Sequence, residues 1–175
     1  SDVTIAVFGA TGVVGYCSAV IAALEGAHVK IVGYSGIERV QQRADEMKER
    51  FGVEVEAVDG SSDDKNTAIV RDVDVIFAAA KAGVQVLSLK QLQAAEKLLV
   101  AADVNAVPPL GLEGVDVMAD GEPIEGTKAF GIGALAVGPI KSATEQGLLK
   151  RMIEAGEPQF LDFRDAFQLA RTLVS

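Results

Sequence analysis

Short apolar runs alternate with longer amphipathic stretches along the first hundred residues. The apolar runs lie at 3–8, 29–34, 73–80 and 98–102, while residues 53–58 alternate apolar and acidic side chains. Runs without a polar face are typical of strands that are covered on both sides, as in a parallel sheet. The alternating run predicts an edge or half-exposed strand instead.

Between these runs, the spacing of apolar residues changes to that of a helix. In residues 37–51 the apolar positions recur at intervals of three and four: Ile37, Val40, Ala44, Met47 and Phe51. The segment 61–64 predicts a helix start, because Ser and Asp side chains cap exposed N–H groups, and residues 89–92 indicate a short helix. Strands that alternate with helices predict an α/β fold with a doubly wound, mostly parallel sheet.

The pattern becomes less regular after residue 103. Paired prolines make 105–111 a loop, and residues 113–125 are rich in Gly and Asp and are expected to be irregular. Residues 129–133 are compatible with a last short strand. A helix is predicted from Pro139 to about Ala155, and a final helix from about Asp162 to Leu173.

A glycine-rich segment stands where the first strand ends and the first helix begins. Its members are Gly9, Ala10, Thr11, Gly12, Val13, Val14 and Gly15. Dinucleotide-binding folds place small residues here because the turn is tight, the backbone approaches a pyrophosphate and the helix packs closely on the strand. The segment predicts a Rossmann-type dinucleotide-binding domain, with the pyrophosphate on the backbone of 11–14. The alternative is a glycine-rich turn that only packing requires.

The end of the second strand bears on the choice of cofactor. NAD-binding proteins usually place a carboxylate about 20 residues after the glycines, where it holds the ribose hydroxyls. Here the sequence is Gly33-Tyr34-Ser35-Gly36, without a carboxylate. We therefore predict NADP as the cofactor, with NAD possible. Tyr34 is predicted to contact the cofactor, and Ser35 and Arg39 are predicted to contact its 2′-phosphate. The alternative is that Arg39 is a solvated residue of a helix face, which is the commoner fate of an arginine in such a pattern.

Two further positions are candidates on weaker grounds. Ala79 and Ala80 follow the fourth apolar run, where small residues would let a cofactor lie across the sheet edge, although close packing explains them equally well. Lys141 falls in the first turn of the helix that Pro139 opens, where the helix dipole disfavours a cation. It could face a ligand or simply be solvated.

Composition excludes several classes of protein. The 175 residues are 49% hydrophobic and carry a net charge of −9, so neither a disordered chain nor a broad nucleic-acid surface is expected. One cysteine and one histidine exclude a disulfide framework and a multi-histidine metal site. No apolar run reaches the roughly 20 residues of a membrane-spanning helix. The sequence predicts a single cytoplasmic domain over residues 1–175.

Three stretches resemble one family closely: Gly9–Gly15, 102–116 and 128–141, of which Asn105-x-x-Pro108-Pro109-Leu110-Gly111 is the most specific. The chain resembles the C-terminal, NADP-binding domain of bacterial methylene-tetrahydromethanopterin dehydrogenases. The resemblance implies hydride transfer between the methylene carbon of a reduced pterin and NADP, with Asn105 at the cofactor and Lys141 near the pterin. The family carries a basic residue where this chain has Tyr34.

The resemblance also bears on partners. The family's N-terminal substrate domain is expected to be absent from this chain. The last helix is apolar over a wide arc, through Phe160, Phe163, Phe167, Ala170 and Val174. This arc predicts contact either with a substrate domain or, in a homo-oligomer, with a second subunit. Two other functions stay open: a non-catalytic NAD(P)-binding module or sensor, and a dehydrogenase domain for another substrate.

Overall fold

The computed structural model describes residues 2–174. The described residues form two compact units, 2–135 and 136–174. The expectation of one domain over the whole length stays a prediction.

The first unit contains a seven-stranded sheet in the order β3-β2-β1-β4-β5-β7-β6. All neighbouring strands run parallel except β6 and β7, which confirms the predicted doubly wound, mostly parallel sheet. The elements of this unit are β1 (Thr4–Phe8), α1 (Val13–Leu24), β2 (His28–Gly33), α2 (Glu38–Phe51), β3 (Glu56–Asp59), α3 (Asp63–Val70), β4 (Val75–Ala78), α4 (Leu89–Gln93), β5 (Val100–Asp103), β6 (Asp120–Pro123) and β7 (Phe130–Ile132).

Much of the core of this unit consists of the apolar side chains that the sequence pattern indicates, and part of it comes from residues 112–124, where the sequence shows no regular pattern. Ala6, Ile31 and Ile76, from β1, β2 and β4, are fully buried. The apolar stripe of α2 is buried at Val40, Ala44 and Met47, while its charged residues remain largely at the surface. Because removal of such side chains from water is the main favourable term in folding, the stripe fixes which face of α2 packs inward.

Two helices begin with serine caps. The Ser62 side chain accepts a hydrogen bond from the Lys65 N–H, as the pattern at 61–64 predicts. At α4, Ser88 and Gln91 form a capping box in which each side chain binds the other residue's backbone N–H.

Two segments differ from the sequence prediction. Strand β3 begins at Glu56 rather than Val53; Val53 is buried but precedes the strand. The segment 113–125, expected to be irregular, contains β6, whose four residues are all exposed. A short, charged edge strand with a proline and a register shift at Gly121 needs no apolar alternation, so periodicity could not reveal it.

The second unit consists of α5 (Gly138–Glu154) and α6 (Phe163–Val174), within two residues of the predicted bounds. The two helices pack against each other around a largely apolar cleft of about 390 Å³. Thr144 is the only buried residue within 136–174. Phe160, which the sequence analysis places on the last helix, precedes α6, and its side chain is fully exposed. No helix in the described part of the chain is long and apolar enough to cross a membrane.

Candidate nucleotide-binding site

Two glycines of the 9–15 segment are required by packing. Gly9 has a positive φ of 87°, and a Cβ there would overlap the carbonyl oxygen of Ala79. A Cβ on Gly15 would lie 2.5 Å from the carbonyl oxygen of Gly9, which is closer than real side chains allow. The packing interpretation therefore explains Gly9 and Gly15 without any ligand.

Gly12 is different from its two neighbours. It has a φ of −88° and a ψ of 164°, a conformation open to any residue. A Cβ on Gly12 would have its nearest neighbour, the Gly9 carbonyl oxygen, at 3.4 Å, which is ordinary contact. Packing does not require a glycine at this position. A ligand that approaches the backbone closely would require one.

The start of α1 is open to solvent. Thr11 is exposed, and so are Val13 and Val14, with Val13 at 81%. No side chain of the described residues caps α1, in contrast to the serine caps of α3 and α4, and the first turn holds no acidic residue. Its free N–H groups and the positive end of the helix dipole therefore favour an anion. Ala10 is fully buried beneath this surface.

The segment lies at the topological switch point of the sheet. From β1 the chain proceeds to β2 on one side, whereas β4 lies on the other. The carboxyl end of β4 continues into Ala79 and Ala80, both half-buried, and the Ala79 N–H donates to the Phe8 carbonyl oxygen at 2.8 Å. Ligands of open α/β sheets bind in the crevice at such a point.

The end of β2 has no acidic side chain. Tyr34 is 78% exposed and Ser35 is also exposed. Arg39, in the first turn of α2, lines a polar cleft of about 260 Å³ together with Thr11. The structure thus brings Arg39 to the glycine-rich segment, while Ser35 does not line this cleft.

Three residues of this cleft were not predicted from the sequence: Gln42, Arg43 and Glu46. They follow Arg39 at intervals of three, four and seven, so they share one face of α2 with it. Extending the helical period from Arg39 along the polar face would have identified them.

Glu46 lies between two arginines. Its carboxylate accepts a hydrogen bond from Arg43 Nη1 at 2.6 Å and another from Arg50 Nη1 at 2.9 Å. The hydrogen bonds from Arg50 and Arg43 hold the pKa of Glu46 below its ordinary value, so this carboxylate is charged at neutral pH. Burial raises the pKa of the nearby Tyr16 phenol, and Glu46 adds to the effect.

The Asn105 side chain forms hydrogen bonds to the backbone of its own loop. Its side-chain Nδ2 donates to the Pro109 carbonyl oxygen at 3.1 Å, and its Oδ1 accepts from the Val107 N–H at 2.9 Å. The buried carboxylate of Asp103 accepts from the N–H groups of Asn105 and Leu112. These bonds fix the loop after β5; contact of Asn105 with a cofactor stays a prediction. The only sign of Asp103 in the sequence is its position as a carboxylate at the end of an apolar strand.

Lys141 belongs to the second unit. It lies in the first turn of α5 as predicted, and its Nζ is 3.9 Å from a Glu145 carboxylate oxygen. The Lys141 side chain is 73% exposed and borders the apolar cleft between α5 and α6. Its role near a substrate stays a prediction.

The residues present fit a dinucleotide. The open position at Gly12 and the uncapped start of α1 suit a pyrophosphate, and Arg39 has no ion-pair partner within residues 2–174. Among those same residues, no group of three or more His, Cys, Asp and Glu side chains could hold a metal ion.

The chain is similar in sequence to two proteins of one organism. The chain is 52% identical, over 166 residues, to an NAD(P)-dependent methylenetetrahydromethanopterin dehydrogenase of Methylorubrum extorquens; the match covers 95% of this chain and 56% of that protein. It is 32% identical over 150 residues to the bifunctional protein MdtA of the same organism, covering 86% of this chain and 51% of that protein. No family model matches the chain.

A solved structure supports the fold. Shikimate 5-dehydrogenase from Listeria monocytogenes, in complex with shikimate and NAD, matches 97% of this chain and 55% of its own with a TM-score of 0.56 at 14% identity. The chain spans about half the length of the curated relatives it matches. It corresponds to a Rossmann-type domain of the methylene-tetrahydromethanopterin dehydrogenase family, as the sequence resemblance indicates.

Proposed function

We propose that the chain binds NADP, and NAD more weakly, at the carboxyl ends of β1, β2 and β4. The observation that carries this proposal is the position of Gly12, where the fold would accept a side chain but the sequence has none. The N–H groups of Thr11–Val14 bind the pyrophosphate, while Gly9 and Gly15 keep the turn and α1 close to the sheet.

The preference for NADP rests on charge. No carboxylate at Tyr34 or Ser35 repels a 2′-phosphate, and Arg39 offers a guanidinium without an ion-pair partner in the described part of the chain. Ser35 donates a hydrogen bond to the same phosphate in this proposal. Arg–phosphate hydrogen bonds are charge-assisted and stronger than those between neutral groups.

The proposed reaction is hydride transfer between the methylene carbon of a reduced pterin, methylene-tetrahydromethanopterin, and NADP. It is supported by the 52% identity to a protein with that activity. The nicotinamide supplies the redox chemistry when it is bound, and the chain's residues hold and orient the dinucleotide. Ala79 and Ala80 leave space at the sheet edge, Asn105 orders the adjoining loop, and Lys141 contacts the pterin.

The proposal includes a partner and a location. Large apolar side chains of the second unit are exposed, among them Leu149, Ile153 and Phe160. We propose that they contact a substrate domain or a second copy of the chain in a cytoplasmic homo-oligomer, without nucleic acid or membrane.

Calorimetric titration of the chain with NADP and NAD tests the binding proposal directly. Tighter binding of NADP than of NAD is expected, and absence of heat with both nucleotides would reject it. The hydride-transfer proposal requires reduction of NADP when methylene-tetrahydromethanopterin is added to the protein that contains the chain.

The role of Lys141 has a matched control on the same helix. Lys150 is equally exposed, and its Nζ is 3.8 Å from Glu154, in the same i,i+4 arrangement. Lys141→Met should slow turnover while NADP binding is retained, and Lys150→Met should leave both unchanged. Equal turnover of the two variants would remove Lys141 from the site.

A further inference from the structure

The polar cleft beside the glycine-rich segment contains both cationic and anionic groups. Its walls are formed by Thr11 from the segment and by Arg39, Gln42, Arg43 and Glu46 from α2. A carboxylate repels a phosphate, so a cleft that binds only a phosphate is not expected to contain one. The question is therefore how Glu46 affects a ligand of this cleft.

Glu46 neutralises one of the two arginines that line the cleft. The Arg43–Glu46 ion pair is 2.6 Å long, and the side chains of the two residues are 42% and 31% exposed. Arg43 also lies over the Tyr16 ring, 5.8 Å from its centroid. Arg43 is thus held in place by Glu46 on one side and by an aromatic face on the other.

Glu46 does not depend on Arg43 for its own pairing. Arg50, one turn further along α2 and outside the cleft, donates to the other oxygen of the same carboxylate at 2.9 Å. If Arg43 turned toward an anion in the cleft, Glu46 would keep a charge-assisted hydrogen bond. The exchange of Arg43 from Glu46 to a ligand therefore leaves no carboxylate without a partner.

The other end of the cleft already favours an anion. Arg39 lies in the first turn of α2, and no side chain of the described residues caps that helix. The Arg39 guanidinium and the uncapped N–H groups favour an anion here, and Glu38, in the same turn, offsets part of this positive charge. A phosphate monoester, with about −1.5 to −2 charges at neutral pH, is the anion that such a site can recruit a second arginine to bind.

We propose that Glu46 sets the selectivity between NADP and NAD, a proposal that rests on the function proposed above. When the ligand has no 2′-phosphate, as in NAD, Glu46 pairs with Arg43. The Glu46 carboxylate then also offers a hydrogen-bond acceptor to the ribose hydroxyls of NAD. With a 2′-phosphate, Arg43 turns to the phosphate beside Arg39, and Arg50 retains Glu46. Glu46 thereby weakens NADP binding by competing for Arg43 and keeps NAD as a usable ligand.

Calorimetric titration of three variants with NADP and NAD tests this proposal. Glu46→Gln, which keeps the shape of the side chain, should tighten NADP by about threefold and not tighten NAD. Arg43→Gln should weaken NADP by about tenfold, as expected for loss of one charge-assisted hydrogen bond, and change NAD by less than twofold. Lys48→Gln, on the same helix and paired with Glu54, removes the same charge outside the cleft and should change neither.

Thermal unfolding of each variant checks that the fold is intact. Titration with 2′-AMP and 5′-AMP separates recognition of the 2′-phosphate from recognition of any phosphate, and only 2′-AMP should respond to Glu46→Gln. Equal effects of Glu46→Gln on NADP and NAD, or none, would overturn the role of Glu46 while nucleotide binding stands. Failure of the unmodified chain to bind either nucleotide would reject the proposed function and this inference together.

Discussion

At the scale of single residues, the three glycines of the nucleotide-binding segment have different physical roles. Gly12→Val should leave the fold intact, because a Cβ at this position makes only ordinary contact. A non-capping residue at the start of α1 should cost about 1 kcal/mol. NADP binding should be lost, because the side chain blocks approach to the backbone. Calorimetry and urea unfolding measure the two effects separately.

The matched control for this substitution is Gly138→Val in α5, where a Cβ would meet nothing within 4 Å. It should leave NADP binding unchanged. Gly15→Ala provides the opposite case, because its Cβ would lie 2.5 Å from the Gly9 carbonyl oxygen and should destabilise the fold itself. Tight NADP binding by Gly12→Val would exclude the proposed position of the pyrophosphate.

Asp59 at the end of β3 allows a prediction about pH. Hydrogen bonds from Lys65 Nζ and from Ser61 lower its pKa to about 2, from 3.8. Because the folded pKa lies below the unfolded one, the stabilisation is complete above pH 3.8 and is lost as the pH falls toward 2. Lys65→Met should raise the Asp59 pKa toward 3.8, as measured by NMR titration of the side-chain carboxyl carbon.

Lys97→Met is the control for this titration. Lys97 Nζ is 3.3 Å from Asp72, in an exposed ion pair elsewhere on the unit. Its removal should leave the Asp59 titration unchanged. An Asp59 pKa near 3.8 in the unmodified chain would contradict the assigned ion pair.

At the scale of elements, the helix caps can be ranked. Ser88 caps α4 reciprocally with Gln91, whereas Ser62 caps α3 through one long hydrogen bond of 3.4 Å. Ser88→Ala should lower the free energy of unfolding by about 1 kcal/mol and Ser62→Ala by less. Urea unfolding measures both. A larger loss at Ser62 would show that hydrogen-bond geometry does not decide the contribution of these caps.

The elements also show how far the sequence could be interpreted. The stripe of α2 and the start of α3 were predicted because each depends on a local property, periodicity or capping, that neighbouring residues reveal. Strand β6 was missed because an exposed edge strand depends on its partner β7 rather than on its own pattern. This distinction between local properties and contacts with distant residues also applies to the site.

Within the site, the glycine-rich segment was found because its spacing is local. The cleft with Arg43 and Glu46 was missed because those residues join Thr11 only when α2 packs beside α1. The role of Gly12 could not be separated from those of Gly9 and Gly15 without coordinates, since all three look alike in the sequence. Only the space around each Cβ distinguishes them.

At the scale of the whole molecule, the second unit is poorly buried. None of the residues of α6 is buried, and Ile153 in α5 is 81% exposed. Burial of such a side chain contributes roughly 1.5–3 kcal/mol, so several in one region favour association. We predict that the chain self-associates at micromolar concentrations, and that sedimentation velocity will detect species larger than an 18.2 kDa monomer.

Two double variants with the same added charge test this prediction. Ile153→Lys with Phe160→Lys should shift the sedimentation profile toward the monomer, since both side chains lie in the exposed apolar region of the second unit. Leu24→Lys with Leu99→Lys, at exposed positions of the first unit, changes the net charge equally and should leave the profile unaltered. Both double variants add the same charge and therefore the same repulsion between chains. Only a difference between their sedimentation profiles assigns the contact to the second unit. If the unmodified chain stays monomeric at all concentrations, the prediction of self-association is wrong. A substrate domain then remains the proposed partner for these side chains.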